Sequence, residues 1–232
     1  MSRQDERALA LLTAAHVDLS REAAAKLPIG ERDRRLRTLY QDLFGSRVTA
    51  LATCPECSES LELEFDVEAF GAALEHGPAA EPAPAQLSFS RDGYDILFRL
   101  PNSRDVLALC HGRPVENNRL RLLERLVLRA SCGEQEVAAA DMPATLIHAL
   151  DERLSLVDPH ADIRLDLGCS ACRAQWQAPF DIVSFLWSEV DAWALRLLRD
   201  VHRLARAYGW READILALSS PRRQCYLELL DE

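Results

Sequence analysis

Two Cys-x-x-Cys pairs constrain this sequence more than any other feature, because the same pattern surrounds both of them. The first pair is Cys54 and Cys57, and a shift of 115 positions carries it onto the second, Cys169 and Cys172. The shift also matches an apolar alternation before each pair and a Phe-Asp-[Val/Ile]-x-x-Phe segment after it. Each copy therefore predicts a strand, a cysteine turn, a second strand and the start of a helix.

The spacing of the cysteines predicts a metal site shared by both copies. One Cys-x-x-Cys turn aims two thiolates at one ion, which is half of the tetrahedral set that zinc requires. A second turn completes the set, so we predict one structural zinc ion bound by Cys54, Cys57, Cys169 and Cys172. Three alternatives remain open: a rubredoxin-like iron centre on the same thiols, a redox function, and two separate sites that recruit His76 or His160.

Each cysteine turn departs from the usual pattern at one position. The residue after the second cysteine often has a left-handed backbone, which glycine adopts most easily. This sequence has Ser58 and Arg173 there instead. If the geometry is retained, we expect each residue to cost about 1 kcal/mol, which zinc binding on the order of 10 kcal/mol offsets.

The composition is that of an ordinary globular protein and disfavours several function classes. A net charge of −10 over 232 residues argues against binding along nucleic-acid phosphates or an anionic membrane surface. The sequence has no secretory signal, and no stretch reaches the roughly 20 apolar residues that span a bilayer. We therefore expect a cytoplasmic protein, in which Cys110, Cys132 and Cys225 are small buried side chains.

Composition and periodicity divide the chain into six segments. They are N-terminal helices (1–46), a first zinc-knuckle hairpin with a short helix (47–76), a linker rich in proline and alanine (77–86), an inserted hairpin with helices (87–160), a second zinc-knuckle hairpin (161–180) and C-terminal helices (181–232). Within the insert we expect helices over 115–130 and 143–154. The predicted class is α+β, mainly helical, with a composite zinc ribbon built from two distant hairpins and a small inserted β-hairpin.

The longest periodic run extends from Asp181 to Tyr208, and it predicts one long helix that Gly209 ends. Its apolar and aromatic positions are too numerous for one narrow stripe. We expect this helix and two short helices after it to provide a docking surface for a protein partner, with burial inside the domain as the alternative.

The order of several segments resembles a known family. The resembling segments are IGERDRRLRTLYQDLFG followed by a strand and CPEC, and FRLPNSRDVLAL with its Leu-Pro-x-x-x-Asp pattern. They resemble the baseplate hub assembly chaperone family of T4-like phages. The C-terminal Tyr-Gly-Trp, Asp-Ile-Leu-Ala-Leu-Ser and Arg-Arg-x-x-Tyr-Leu elements resemble the endings of tail-associated proteins of phage-tail-like contractile injection systems.

This resemblance implies a non-enzymatic assembly factor, or a minor component, of a contractile baseplate. Its partners would be tail or baseplate-hub proteins, with no nucleic acid, membrane or small-molecule substrate. The sequence contains no nucleophile elbow, P-loop, dinucleotide fingerprint or HExxH motif. Two alternatives remain: a rubredoxin-like electron carrier, and a zinc-ribbon nucleic-acid-binding module, supported only by the clustering of Arg32, Arg34, Arg35 and Arg37.

Overall fold

The computed structural model describes residues 2–69, 84–110 and 118–231. It divides into two units, Met1–Val183 and Ser184–Glu232. Helices make up 55% of the structure and strands 21%, so the predicted mixed and mainly helical class is confirmed. His76 lies outside the described residues, as do most of the predicted linker and the end of the short helix before it.

Three helices open the first unit: α1 (Ser2–Ala15), α2 (Arg21–Lys26) and α3 (Ile29–Phe44). The Ser20 hydroxyl accepts a hydrogen bond from the Ala23 N–H and so caps the start of α2. Helix α1 buries Leu9 and Leu12, and α3 buries Leu36. The apolar sides of these helices form the core of this part of the unit, as their periodicity predicts.

Two antiparallel hairpins carry the cysteine pairs. Strands β1 (Arg47–Thr53) and β2 (Ser60–Asp66) form the first, and β7 (Arg164–Gly168) and β8 (Gln175–Pro179) form the second. Each hairpin is a separate two-stranded sheet. Side chains alternate between half-buried and exposed along β2, β7 and β8. Each hairpin therefore has one partly buried, mainly apolar face and one exposed, mainly polar face, although Leu51 of β1 is exposed.

The inserted region forms a four-stranded sheet in the order β3-β4-β5-β6. Its strands are β3 (Leu87–Arg91), β4 (Tyr94–Phe98), β5 (Val127–Cys132) and β6 (Gln135–Glu136). One face packs on helix α6 (Ala144–Val157), where Ile96 and Phe98 join Leu146 and Leu150 in one buried cluster. The remaining helices of the insert are α4 (Ser103–Cys110) and α5 (Asn118–Leu126).

The prediction of a continuous helix over 115–130 was wrong at its C-terminal end. Helix α5 ends at Leu126, and strand β5 begins at the next residue. Ala130 pairs with Ile96 of β4, which offers an edge for backbone hydrogen bonds. The apolar spacing of this segment fits both a helix and a strand, so pairing with β4 decides the outcome. The predicted small hairpin is therefore part of a larger sheet.

Helix α7 (Ile182–Tyr208) is a single helix of 27 residues, as predicted. Gly209, with a φ of 68°, ends it. In the second unit α8 (Glu212–Leu216) and α9 (Ser220–Glu228) follow, and Val201 and Leu204 pack with Ile215 and Leu227 in a small core. The two short C-terminal helices are thus confirmed.

The expected burial of the other cysteines was wrong where the structure describes them. Cys132 at the end of β5 is exposed, as is Cys225 on α9. On α9 the buried positions are Arg223 and Leu227, which places Cys225 on the other side of the helix. The side chain of Cys110 lies outside the described residues. No helix among those described combines the length and apolarity that a bilayer crossing requires.

Candidate metal centre

The backbone of the first cysteine turn has two hydrogen bonds that set its shape. The Cys54 N–H donates to the Glu59 carbonyl at 2.9 Å, and the Ser58 N–H donates to the Cys54 carbonyl at 3.0 Å. The second turn repeats both bonds at 2.9 Å, from Cys169 to Ala174 and from Arg173 to Cys169. The two turns are therefore the same structure, as the sequence repeat predicts.

The residue after each second cysteine has the predicted left-handed backbone. The φ angle is 62° at Ser58 and 64° at Arg173. An L-residue in this region carries a steric cost of roughly 1 kcal/mol or more, because Cβ approaches the backbone. Both turns retain this strained geometry without glycine.

The four thiols of the two turns come together. Their sulfur atoms all lie within 4.8 Å of one another. Cys54 Sγ is 3.6 Å from Cys172 Sγ, and Cys57 Sγ is 3.6 Å from Cys169 Sγ. A tetrahedral ion with bonds of about 2.3 Å requires sulfur separations of about 3.8 Å. The predicted convergence is confirmed, and the donor set fits a four-coordinate metal such as zinc.

The four thiols differ in solvent exposure according to their position in each turn. The first cysteine of each pair is buried: Cys54 is 1% exposed and Cys169 is 4% exposed. The second cysteines, Cys57 and Cys172, are exposed. Each 3.6 Å contact joins a buried thiol of one turn to an exposed thiol of the other. This reciprocal pairing of buried and exposed thiols is what an approximate two-fold axis through the thiol cluster produces.

The thiol pKa values show why this cluster suits a cation. Hydrogen bonds from the backbone N–H groups of Cys172 and Ala171 lower the pKa of Cys169 to about 7. The N–H of Glu59 acts to lower the pKa of Cys57, but the neighbouring thiol of Cys172 and partial loss of water contact raise it to about 12. Neighbouring thiolates repel one another, so they cannot all ionise without a positive charge. A divalent metal supplies that charge by replacing the protons.

A second contact joins the hairpins away from the thiols. The rings of Phe65 and Phe180 are 5.4 Å apart and nearly perpendicular. These residues are equivalent in the 115-residue repeat. Edge-to-face aromatic pairs stabilise by about 1 kcal/mol beyond their buried area. The hairpins therefore meet at the cysteine turns and also at the ends of β2 and β8.

Helix α3 supports both hairpins. It leads into β1 through Gly45 at its C-terminus. Near its start, the Gly30 N–H donates to Asp158 Oδ2 at 3.0 Å, just before the short 3-10 turn that precedes β7. Arg37 Nη2 lies 2.6 Å from His160 Nδ1 in that turn. One helix thus positions the segments that enter both halves of the centre.

The alternative of two separate histidine-completed sites fits this geometry poorly. His160 contacts Arg37 of helix α3 and is not a member of the four-thiol cluster. The four cysteines already supply a complete tetrahedral set among themselves. The geometry therefore favours one shared site.

Two of the four arginines of helix α3 are buried, and the two that reach the surface pair with one glutamate. Arg32 is buried, and it binds Asp5 at 2.6 Å and Asp33 at 2.7 Å. Arg34 and Arg35 both pair with Glu31, at 2.8 and 2.7 Å. With Arg37 buried beside His160, all four arginines have partners inside the unit. The four arginines therefore do not form one exposed basic patch, which weakens the support for the nucleic-acid alternative.

A second buried network was missed from the sequence. Asp105 is fully buried, and its carboxylate accepts hydrogen bonds from Arg99 at 2.6 and 2.8 Å and from Arg125 at 2.8 Å. Burial acts to raise the pKa of Asp105, but the bonds from Arg99, the Asn102 N–H and Arg125 hold it below its usual value. Asp105 is the aspartate of the Leu-Pro-x-x-x-Asp pattern, so this pattern was the feature of the sequence that could have indicated the network.

The two N-terminal segments that carry the family resemblance contact each other. The Ile29 N–H donates to the Pro101 carbonyl at 3.0 Å, and Arg32 Nη1 donates to Ser103 Oγ at 3.0 Å. Arg32 and Ser103 therefore belong to the buried core of the first unit, and neither is a member of the thiol cluster.

No protein-family model, curated protein or solved structure matches this chain. The resemblance to baseplate proteins rests on the sequence motifs alone.

Proposed function

We propose that this chain is a non-enzymatic, zinc-stabilised assembly factor, or a minor component, of the baseplate of a phage or a phage-tail-like contractile injection system. The four-thiol cluster carries the metal part of this proposal. The order of the sequence motifs carries the baseplate part. The two parts are independent, and each has its own test.

A structural metal fits the donor set better than a catalytic one. Catalytic zinc keeps one coordination position open for water or substrate, whereas structural zinc has four protein ligands. Here the four thiols complete the tetrahedron. Bound zinc would supply a positive charge and cross-link the hairpins. Cys54 and Cys169 would hold the ion from the buried side, and Cys57 and Cys172 would close the exposed side.

The contact between the resembling segments supports the baseplate part. Both segments contribute to one buried polar network, so a shared fold gives a physical reason for their occurrence together. The proposed partners are tail or baseplate-hub proteins. Nucleic acid, membrane and small-molecule substrates are not part of the proposal. A reducing compartment such as the cytoplasm suits a set of free thiols.

The metal part is tested by elemental analysis of the protein purified without added metal. We expect one zinc per chain, and loss of zinc in the Cys54→Ser variant. Cys132→Ser and Cys225→Ser are matched controls, because both thiols are exposed and lie outside the cluster; they should retain the metal. Two zinc ions per chain would contradict the shared site. Native iron would support the rubredoxin-like alternative.

The baseplate part is tested by the neighbouring genes and by co-purification. We expect sheath, tube, spike and baseplate genes beside this one, and recovery of at least one of their products with the tagged chain. Binding of none of these proteins, although the chain is folded and zinc-loaded, would overturn the assembly role without affecting the metal site.

A further inference from the structure

The two cysteine turns differ in the charge around their exposed thiols. Both turns belong to the first unit and share the same backbone hydrogen bonds. In the first turn Glu56 and Glu59 flank Cys57 in sequence. In the second turn Arg173 follows Cys172 directly. All three charged side chains are exposed, so the turns have one backbone and opposite local charge.

Solvent exposure determines which thiols an external reagent meets first. Cys57 and Cys172 are exposed, whereas Cys54 and Cys169 are buried. The sulfur atoms of the exposed pair lie within 4.8 Å of each other, so a reagent at the open side of the cluster reaches both. A cysteine bound to zinc is a thiolate, and the thiolate is the form that attacks a disulfide.

The charged neighbours favour Cys172 as the thiol that attacks a negatively charged disulfide. Near Cys57 two carboxylates repel such a reagent, and near Cys172 the Arg173 guanidinium attracts it. The strands do not cancel this difference, because each hairpin has one exposed acid on the equivalent rung. These acids are Glu62 in β2 and Asp166 in β7. The contrast therefore comes from the turns themselves.

A buried thiol of the other turn lies close enough to complete the reaction. Cys54 Sγ is 3.6 Å from Cys172 Sγ. A disulfide bond is about 2.05 Å long, so the two sulfur atoms need to approach by about 1.5 Å to form one. Cys54 belongs to the first hairpin and Cys172 to the second. The bond would therefore keep the hairpins joined after the metal has left.

We propose that Cys172 is a modification site for small anionic disulfides, with Cys54 as its resolving thiol. The Cys172 thiolate attacks one sulfur of the reagent, a protein–reagent disulfide forms, and half of the reagent leaves as a thiolate with the electron pair. The Cys54 thiolate then attacks the Cys172 sulfur, and the second half leaves in the same way.

The two steps balance without another oxidant. The protein gives up two electrons, and the reagent takes them as its one disulfide becomes two thiolates. Zinc keeps only Cys57 and Cys169, half of the tetrahedral set, and is released. The release rests on the metal site proposed above, whereas the pairing of the thiols does not depend on which metal is bound.

The test treats the full zinc-loaded chain with two reagents of opposite charge. Dithiodipropionate is a dianion and cystamine is a dication, and both are small dialkyl disulfides. A chromogenic chelator follows zinc release, and peptide mass spectrometry of acid-quenched samples identifies the disulfides at half-release. With dithiodipropionate, the Cys54–Cys172 disulfide should exceed the Cys57–Cys169 disulfide at least threefold.

With cystamine this ratio should fall below one, because the carboxylates of the first turn attract a cation. Comparing two sites within one reagent removes the difference in reactivity between the reagents. Added salt should bring the two ratios together. The same ratio for both reagents, or a first disulfide within one turn or between the two exposed thiols, would overturn the proposal.

A matched pair of variants locates the charge that directs the reaction. Arg173→Gln should lower the dithiodipropionate ratio about twofold or more. Arg164→Gln is the control, because it removes the same charge from the same hairpin. Arg164 is exposed at the start of β7, about 13 Å from Gly168 beside the turn. Its ratio should match the wild type, and an equal fall in both variants would contradict the assigned role of Arg173.

Two measurements separate this inference from the proposed function. Zinc content before treatment reports on the metal site, and a chain purified without metal would contradict that site. The disulfide map would still decide the pairing in such a chain. If Arg173→Gln does not retain zinc, the comparison of the two reagents on the wild type still decides the proposal. Recovery of tail proteins has no effect on either result.

Discussion

The first cysteine hairpin has strands of seven residues and the second has strands of five. Their solvent faces also differ. Glu62 and Glu64 of β2 are exposed, and the equivalent positions in β8 are Gln177 and Pro179. The cysteine turns nevertheless agree in hydrogen bonds, in φ angles and in which thiol is buried. The thiol cluster therefore goes with a fixed backbone in the turns, whereas the charge and length of the strands differ.

The hairpins also differ in how the preceding chain holds them. The first follows helix α3 directly through Gly45. The second follows a segment that is bound to α3 by side chains, with Asp158 accepting from Gly30 and His160 beside Arg37. The first attachment is covalent and local, whereas the second depends on tertiary contacts. Perturbing α3 should therefore affect the two hairpins unequally, although perturbing the thiols should affect them equally.

The largest expected effect comes from the buried thiols. Cys54→Ser and Cys169→Ser should lower zinc content and the free energy of unfolding by the same amount, because the proposed zinc site makes the two residues equivalent ligands. The loss can approach the roughly 10 kcal/mol scale of structural zinc binding. Zinc analysis and urea unfolding measure both quantities. Clearly unequal effects would show that the hairpins do not share one ion.

The second prediction concerns acid sensitivity outside the hairpins. Asp105→Asn should destabilise the protein by about 2–3 kcal/mol at pH 7, because it removes the charged acceptor of Arg99 and Arg125. The pKa of Asp105 is lower in the folded protein than in the unfolded chain. Its stabilisation is therefore present above the unfolded pKa of about 3.9 and is lost as pH falls through the folded value.

Urea unfolding of the wild type and the Asp105→Asn variant should therefore converge at low pH. Release of the proposed zinc in acid would affect both proteins equally, so the difference between them isolates Asp105. Glu22→Gln is the control, because Glu22 also pairs with two cations, Lys26 and Arg104, but on the surface. It should change stability little. A pH-independent difference for Asp105→Asn would contradict the assigned charge.

The third prediction tests the unequal attachment of the hairpins. A Cβ atom at Gly30 would lie 1.7 Å from Asp158 Oδ1 and 3.0 Å from the Ala161 nitrogen. Gly30→Ala should therefore displace the turn before β7 and cost about 1–3 kcal/mol. Hydrogen exchange should increase more in β7 and β8 than in β1 and β2.

Gly168→Ala provides the matched control for this prediction. Gly168 also lies in the second hairpin, but no atom lies within 4 Å of an added Cβ there. The control should leave exchange in both hairpins close to that of the wild type. Equal loss of protection in the two hairpins of Gly30→Ala would refute the difference in attachment.

The smallest expected effect tests the equality of the two turns. Ser58→Gly and Arg173→Gly should each stabilise the protein by up to about 1 kcal/mol, because glycine removes the strain at positive φ. Ser60→Gly, in the extended backbone of β2, should destabilise it instead. Thermal unfolding of the zinc-loaded variants measures all three. A gain at only one of the turn positions would show that their strain differs.

The sequence predicts best the features that repeat or have clear boundaries. The cysteine turns follow from the 115-residue repeat, and the bounds of α7 follow from its period and from Gly209. The left-handed backbone at Ser58 and Arg173 is the one that such turns usually have, and it is retained here without glycine. In each case the cause is local, or is duplicated within the chain.

The missed features depend on residues that are distant in sequence. Strand β5 exists because β4 offers it an edge, and its own apolar pattern does not distinguish a strand from a helix. Arg32 belongs to a basic cluster in the sequence, yet it is buried. Its side chain donates hydrogen bonds to Asp5 and Ser103, which lie 27 and 71 positions away. Ion pairs and hydrogen bonds between distant side chains leave no periodic pattern in a single sequence.

The sequence separation of 112 positions from Cys57 to Cys169 also has a consequence during synthesis. At about 5–20 residues per second, a ribosome needs roughly 6–20 s to add the second turn after the first. During that interval the first turn offers two thiols without their partners. It can hold a metal ion only weakly, and it is open to oxidation or to a foreign ligand. For the proposed site, the first turn therefore has to stay reduced until the second turn has been made.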